Sequence, residues 1–177
     1  SSTTSVTSVA TSTQAFGITK ATGDAAIGIS GGSPDFSFFG TISNTTSSIP
    51  NGPIIGIAGV SNSTISIGGP GLDPLQDNAS GVQIGAVGVP PGAAVSGSDI
   101  SIDGLLLTRL GVQMANVGST TTFSNLNIEV TDTTTPAFIA NEGGTIIVNG
   151  TSSIINNSND KKGFSISNKR IKEDMKF

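Results

Sequence analysis

Three segments of the chain decide the fold: Leu110–Ala115 (LGVQMA), Pro136–Asn141 (PAFIAN) and Lys162–Ser167 (KGFSIS). Their third residues, Val112, Phe138 and Phe164, are separated by two equal steps. Within the segments apolar and polar residues alternate, which is typical of a β-strand with one buried face. A fixed spacing between such strands predicts a solenoid, in which each winding of the chain lays its apolar residues on those of the winding before.

Less regular copies of the same strand occur earlier, at Ser80–Gly85, Ile54–Ile57 and Ala15–Ile18. The steps between these copies are unequal, and the step from Phe16 to Ile55 is the longest, which predicts insertions in the earlier windings. A second set of strands has the regular spacing, because Ile102, Ile128 and Ile154 are separated by the same step as Val112, Phe138 and Phe164. We expect these three isoleucines to form a second stacked row.

The composition favours strands over a helical repeat. The chain has 24 Gly and 8 Pro, which interrupt any helical periodicity before the last ten residues, and Ile, Val and Thr suit a pleated surface. The regular step, about 26 residues, holds three short strands and three turns, so we predict a right-handed parallel β-helix of about five or six coils over residues 15–167. Residues 1–14 are a Ser/Thr-rich leader or a frayed first coil. Residues 168–177 form a basic tail, which could be a helical cap, a disordered end or residues foreign to the repeat.

Missing residue types exclude several functions. The chain has no Cys and no His, so it has neither a Ser–His pair for nucleophilic catalysis nor a His or Cys site for zinc. It has no Trp or Tyr, which argues against a groove that stacks on bases or on sugars, and so against a nucleic-acid partner. The lack of disulfides suits a chain that crosses an oxidising compartment unfolded. The chain starts at Ser1 without a leader, which we interpret as a processed product or an excised piece.

Charge is distributed unevenly along the chain. Residues 1–160 contain two basic and ten acidic side chains, whereas residues 161–177 contain six basic and two acidic ones. The body therefore carries about −8 and the end about +4. The simplest interpretation of the basic end is a solvated terminal strand or helix. The alternative is a patch that binds an acidic surface such as a sulfated glycan or an anionic lipid.

The coil pattern resembles the passenger domain of Gram-negative autotransporters. It is carried by Pro136–Thr151, which has a small residue, an apolar pair, a Gly-Gly turn, an apolar strand and a polar turn in that family's order, and by the shorter Ser80–Ile84. The resemblance covers residues 15–167. The resemblance implies a monomer that is exported through its own outer-membrane barrel and secreted or held at the cell surface. It also implies adhesion to a host surface protein or glycan. The chain departs from the family in lacking the barrel. The residues before Phe177 also lack the alternation of a lipid-facing strand.

Carboxylates are the remaining catalytic candidates. Asp103 and Glu129 stand one regular step apart and are expected to stack on the outer face, with Asp99 beside them. Two acids could cleave a glycan by general acid/base chemistry, but stacked like charges repel each other, so the interpretation we favour is a solvated strand face. Residues 68–76 fit the calcium-binding nonapeptide G-G-x-G-x-D-x-U-x, but each ion needs two consecutive copies and only one is present. No catalytic, cofactor-binding or metal-binding residue is therefore predicted, and no cofactor.

These observations favour a non-enzymatic surface protein. The function we predict is adhesion or host-cell interaction through the surface of the β-helix. The first alternative is a β-helix that processes or binds a polysaccharide, and the second is a segment of a phage fibre or another structural filament.

Overall fold

A computed structural model describes residues 5–8, 17–19, 25–44, 52–69, 75–77, 81–87, 93–130, 136–157 and 163–167. Within these ranges the chain forms eighteen strands and no helix, so no helix is available there to span a membrane. Three strands make one winding. In chain order the windings are β1 (Ser5–Ser8), β2 (Gly17–Thr19), β3 (Ile27–Gly32); β4 (Asp35–Phe38), β5 (Thr41–Asn44), β6 (Ile55–Val60); β7 (Thr64–Ile67), β8 (Leu75–Asp77), β9 (Val82–Gly85); β10 (Val95–Asp103), β11 (Leu105–Leu107), β12 (Val112–Ala115); β13 (Val117–Ser124), β14 (Asn127–Val130), β15 (Phe138–Asn141); and β16 (Thr145–Asn149), β17 (Ser153–Asn156), β18 (Phe164–Ser167).

Every strand pairs in parallel with the strand three places away in the chain. The result is three six-stranded sheets: sheet A (β1-β4-β7-β10-β13-β16), sheet B (β2-β5-β8-β11-β14-β17) and sheet C (β3-β6-β9-β12-β15-β18). The predicted class, an all-β parallel β-helix, is confirmed, and the right-handed sense of the winding stays a prediction. Buried apolar residues run from Ile27 to Ala140, so the closed core spans about four windings, slightly fewer than predicted.

The first predicted row is confirmed in sheet C. Val112 lies over Val82 on one side and Phe138 on the other, and Phe138 lies over Phe164. The rings of Phe138 and Phe164 are stacked, with centroids 4.7 Å apart and planes inclined by 15°. Phe123 from sheet A meets Phe138 edge to face at 5.6 Å, which joins two sheets across the core.

The predicted start of this row is wrong. Ile55 pairs with Ile27, whereas Gly17 and Ile18 belong to β2 in sheet B and pair with Thr41 and Ile42. Phe16 itself lies outside the described residues. The first step in sheet C therefore runs from Ile27 to Ile55 and is close to the regular spacing, so the long insertion predicted between Phe16 and Ile55 does not occur in this sheet.

The predicted row of isoleucines is confirmed in one of its two steps. Ile128 pairs with Ile154 in sheet B, but its neighbour on the other side is Leu107. Ile102 lies in sheet A, between Ile67 and Phe123. The step from Ile102 to its partner Phe123 is shorter than the regular one. One regular step from Ile102 therefore ends at Ile128, which lies beyond the turn, in sheet B.

The two ends of the chain are described in part. Ser5–Ser8 forms β1, which pairs with β4 and so belongs to the first winding. The remaining residues of the predicted leader and the whole basic tail, residues 168–177, lie outside the described residues.

Candidate functional site

The acids proposed as a catalytic pair are not neighbours. Asp103 ends β10 in sheet A and pairs with Ser124, whereas Glu129 lies in β14 of sheet B and pairs with Ile155. Asp103 Oδ1 accepts a hydrogen bond from Asn125 Nδ2 at 2.8 Å, and Glu129 Oε1 accepts one from Asn157 Nδ2 at 3.3 Å. The stacking that we predicted for Asp103 and Glu129 is wrong. As with Ile102 and Ile128, one regular step from sheet A passes the turn into sheet B.

Asp99, the third predicted acid, stands on the outer face of sheet A. It is exposed and pairs with Thr64 on one side and Thr120 on the other. Since both neighbours are threonines, Asp99 has no second carboxylate beside it on these two strands.

Only the two ends of the predicted calcium motif, residues 68–76, are among the described residues. Gly68, Gly69, Leu75 and Gln76 are described, and Leu75 is buried in β8, whereas Asp73 lies outside the described residues. Within the described ranges, no three His, Cys, Asp or Glu side chains come together as ligands for a metal.

A polar groove crosses the last three windings at the start of the sheet A strands. Its volume is about 530 Å³, and we call it the glycine groove because one glycine comes from each winding. The lining residues are Gly97, Ser98, Asp99, Gly118, Ser119, Thr120, Gly144 and Thr145. The lining comes from corresponding positions on three neighbouring strands of sheet A, which are about 4.8 Å apart. The groove therefore runs along the axis of the solenoid rather than along a strand.

A β-bulge shapes the first part of the groove. Ser96 pairs with Gly118 and Asp99 pairs with Thr120, so Gly97 and Ser98 together oppose one residue of β13. Gly97 has a φ of 56°, which a bulge accommodates most readily with glycine. The bulge interrupts the backbone ladder between β10 and β13.

Hydrogen bonds between backbone N–H groups and the hydroxyls of buried serines join the windings where that ladder is interrupted. The backbone N–H of Ser63 donates to Ser98 Oγ at 3.1 Å, and the N–H of Ser98 donates to Ser119 Oγ at 3.0 Å. The Ser98 hydroxyl in turn donates to the Ser96 carbonyl oxygen at 3.0 Å. The hydroxyls under the groove are therefore engaged in holding neighbouring windings together, which keeps the floor rigid.

The side chains above the floor are free to meet a ligand. Asp99, Thr120 and Thr145 stand in one row across three windings, since Asp99 pairs with Thr120 and Thr120 with Thr145. In the described part of the chain, no side-chain hydrogen bond engages the Asp99 carboxylate or these two hydroxyls. A further outward row of hydroxyls, from Ser37, Ser66, Ser101 and Thr122, runs parallel to it on sheet A.

The three glycines of the groove are required for different reasons. At Gly144, with a φ of 69°, an added Cβ would lie 2.3 Å from the carbonyl oxygen of Val117. At Gly97 it would lie 2.7 Å from Asn62 Oδ1. At Gly118 the φ is not positive and the nearest atom would be the carbonyl oxygen of Val95 at 3.6 Å, an ordinary contact. The fold therefore explains Gly97 and Gly144 but not Gly118.

Gly118 is the residue that makes the groove a candidate site. A glycine inside a strand weakens it and often marks a bulge or the close approach of a ligand or another backbone. Gly118 pairs with Ser96 at the edge of the bulge, but its φ is not positive, so the bulge does not require glycine there. Gly118 is exposed, and any side chain there would project into the groove. The sequence gives little indication of this, because Val117-Gly118-Ser119 resembles many turns in this glycine-rich chain.

Sequence reasoning also missed a buried polar pair in sheet B. Asp77 and Asn44 are almost wholly buried, and Asn44 Nδ2 donates to Asp77 Oδ1 at 2.5 Å. Asp77 Oδ2 accepts from the N–H of Gly81 at 2.6 Å, which fixes the start of the sheet C strand. Aligning Leu75-Gln76-Asp77 with Leu105-Leu106-Leu107 would have placed Asp77 inward.

Comparisons of the chain with protein-family models, with curated proteins and with solved structures found no match.

Proposed function

We propose that the chain is a recognition segment of a secreted or surface-displayed bacterial protein, which binds a host glycan through the glycine groove. The observation that carries the proposal is Gly118, an exposed strand glycine whose backbone would accept a side chain. In this proposal the solenoid is a rigid support, and the groove is the part that meets the partner. The resemblance to autotransporter passengers supports export through a cognate outer-membrane barrel.

The chemistry of the groove favours a hydroxyl-rich ligand. The available groups are the hydroxyls of Thr120 and Thr145 and the carboxylate of Asp99, and the lining contains no aromatic or large apolar side chain. Protein–protein interfaces usually need such apolar and aromatic anchors at their centre. A glycan that is held by hydrogen bonds alone, without ring stacking, needs polar groups at regular intervals, and the windings supply one row of them about every 4.8 Å.

The negative charge of the groove lining restricts the class of glycan that we propose as its ligand. Asp99 is the only charged residue among the groove's lining residues. An anionic polymer such as a polyuronate would meet a like charge with no basic side chain in the lining to offset it. We therefore favour a neutral or amino-substituted glycan over an acidic one.

This proposal is one of binding rather than cleavage. Glycoside hydrolysis usually needs two carboxylates flanking one bond. Asp103 and Glu129 lie on different sheets, and Asp99 pairs with threonines on both sides. The groove lining thus offers one acid, which can accept hydrogen bonds from sugar hydroxyls.

Filling the groove tests the proposal. Gly118→Val places a branched side chain in the groove at a position where the backbone accepts it, so we expect the melting temperature to be kept or raised. Retention on insoluble neutral polysaccharides and affinity for neutral oligosaccharides by calorimetry should fall by about tenfold or more.

The matched control is Gly28→Val. Gly28 is also an exposed strand glycine, its φ is not positive, and the nearest atom to an added Cβ is that of Ala25 at 3.8 Å. It lies in β3 of sheet C, away from the groove, and the variant should bind like the parent. The proposal fails if Gly118→Val binds every neutral glycan as well as the parent does, or if the parent binds only polyuronates.

A further inference from the structure

The turn from sheet A into sheet B, which we call the A–B corner, aligns corresponding residues of three windings. Asp103 pairs with Ser124, and Ser124 pairs with Asn149, so these three residues end their strands at the same level. The residues that follow them all have a positive φ: Gly104 (83°), Asn125 (52°) and Gly150 (67°). The corner therefore imposes a left-handed backbone at its second position, where Gly and Asn are favoured.

In the last winding the A–B corner presents an Asn-Gly pair at the surface. Asn149 and Gly150 are both exposed. An added Cβ at Gly150 would lie 2.6 Å from Asn125 Oδ1, which accepts a hydrogen bond from the N–H of Thr151 at 3.0 Å. The fold thus fixes a glycine directly after Asn149, and a glycine leaves the approach to its own backbone nitrogen unhindered by a side chain.

The groups at this corner are arranged for a reaction between the two residues. Within the described residues, neither the N–H of Gly150 nor Asn149 Nδ2 makes a hydrogen bond. Asn149 Oδ1, by contrast, accepts one from the Ser124 hydroxyl at 2.5 Å. A donor on a carbonyl oxygen stabilises the negative charge that develops there when a nucleophile attacks the carbon. The nucleophile here is the next backbone nitrogen, so the attack is intramolecular.

We propose that Asn149–Gly150 is a site of spontaneous deamidation, in which the Ser124 hydroxyl polarises the reacting carbonyl. The Gly150 nitrogen bonds to Asn149 Cγ and its proton passes through water to Nδ2. The Cγ–Nδ2 bond breaks, ammonia leaves and a cyclic imide remains. Water then adds to one of the two imide carbonyls and breaks its bond to the Gly150 nitrogen. Opening at Cγ gives aspartate, and opening at the backbone carbonyl gives isoaspartate.

The two products differ in their effect on the corner. Aspartate keeps the main chain and repeats Asp103-Gly104, the pair that occupies this corner in the fourth winding. Isoaspartate routes the main chain through Cγ and displaces the carbonyl oxygen of Asn149. That oxygen accepts hydrogen bonds from the N–H of Asn125 at 3.1 Å and from the Ser152 hydroxyl at 2.7 Å. Isoaspartate therefore loosens the pairing of the fifth and sixth windings, whereas aspartate preserves it.

This modification site is separate from the proposed glycan site. The A–B corner lies at the ends of the sheet A strands, whereas the glycine groove lies near their starts. The inference therefore holds or fails independently of glycan binding.

Peptide mapping by mass spectrometry of the folded protein, aged at mildly alkaline pH, tests the site. Asn149 should lose its amide and yield both aspartate and isoaspartate, faster at higher pH because the nucleophile must lose a proton. Asn141 is the internal control, since it is exposed at the end of β15 but is followed by Glu142, and it should keep its amide. Retention of the Asn149 amide in the folded protein, or equal loss at Asn141, would overturn the proposal.

Two variants test the part assigned to Ser124. Ser124→Ala should slow the loss of the Asn149 amide several-fold, and Ser124→Thr, which keeps a hydroxyl, should restore the rate. Their melting temperatures show whether both variants fold like the parent. An unchanged or faster loss in a folded Ser124→Ala variant would remove Ser124 from the reaction.

A third variant separates the two products. Asn149→Asp supplies the aspartate product alone and should melt like the fresh parent. Aged parent enriched in isoaspartate should melt at a lower temperature than this variant. Equal melting temperatures would contradict the loosening of the last winding.

Discussion

Windings five and six have matching strands but very different burial. Phe138 and Phe164 pair directly, yet Phe138 is fully buried and Phe164 is 46% exposed. Phe123 and Val148 repeat the contrast in sheet A. Burial in this fold therefore depends on a neighbour on both sides of each side chain, and the register alone does not provide it.

The largest expected effect comes from placing a charge in the core row of sheet B, once in the fifth winding and once in the sixth. Ile128 is buried between Leu107 and Ile154, so Ile128→Asp should cost about 4 kcal/mol of unfolding free energy by placing an unpaired charge in the core. Ile154 is only half-buried, so Ile154→Asp should cost less than about 2 kcal/mol. Urea denaturation of both variants measures the difference, and equal midpoints would mean that the sixth winding is as closed as the fifth.

A second test removes apolar volume at the same two levels. Phe138→Ala deletes a ring that contacts both Phe123 and Phe164, and we expect a loss of about 3–5 kcal/mol. Phe164→Ala deletes a ring with one stacked neighbour and should cost about 1 kcal/mol. Thermal unfolding of each variant gives the ratio. A loss at Phe164 as large as that at Phe138 would contradict one-sided packing there.

The regular windings were predictable from the sequence because their turns have equal lengths. The equal steps Val112–Phe138 and Phe138–Phe164 fall on the same sheet position. Ile102 was misassigned because the step within sheet A is shorter there, so the apparent repeat crossed into sheet B. Ile27 was missed although Ile27-Gly28-Ile29 repeats Ile55-Gly56-Ile57 residue for residue.

The candidate site was not predictable in the same way. The glycine groove depends on a bulge at Gly97 and on which glycines align across windings, and neither follows from the spacing of apolar residues. Gly118 stands out only after the contacts of an added Cβ are known. Loops and bulges thus determine the site, whereas the apolar rows determine the architecture.

The smallest effect that we predict is a gain in stability from the core of the fifth winding. Thr121 is fully buried in sheet A, where it pairs with Ile146, and its Oγ1 is buried without a hydrogen-bond partner in the described structure. Thr121→Val replaces that hydroxyl with a methyl group of similar shape, so we expect a gain of about 1 kcal/mol. Thr120→Val, on the outward face of the same strand, should change stability by less than about 0.5 kcal/mol. A destabilised Thr121→Val would show that the hydroxyl has a partner after all, and the inward face of the fifth winding would then be polar at that point rather than continuous with the apolar rows around it.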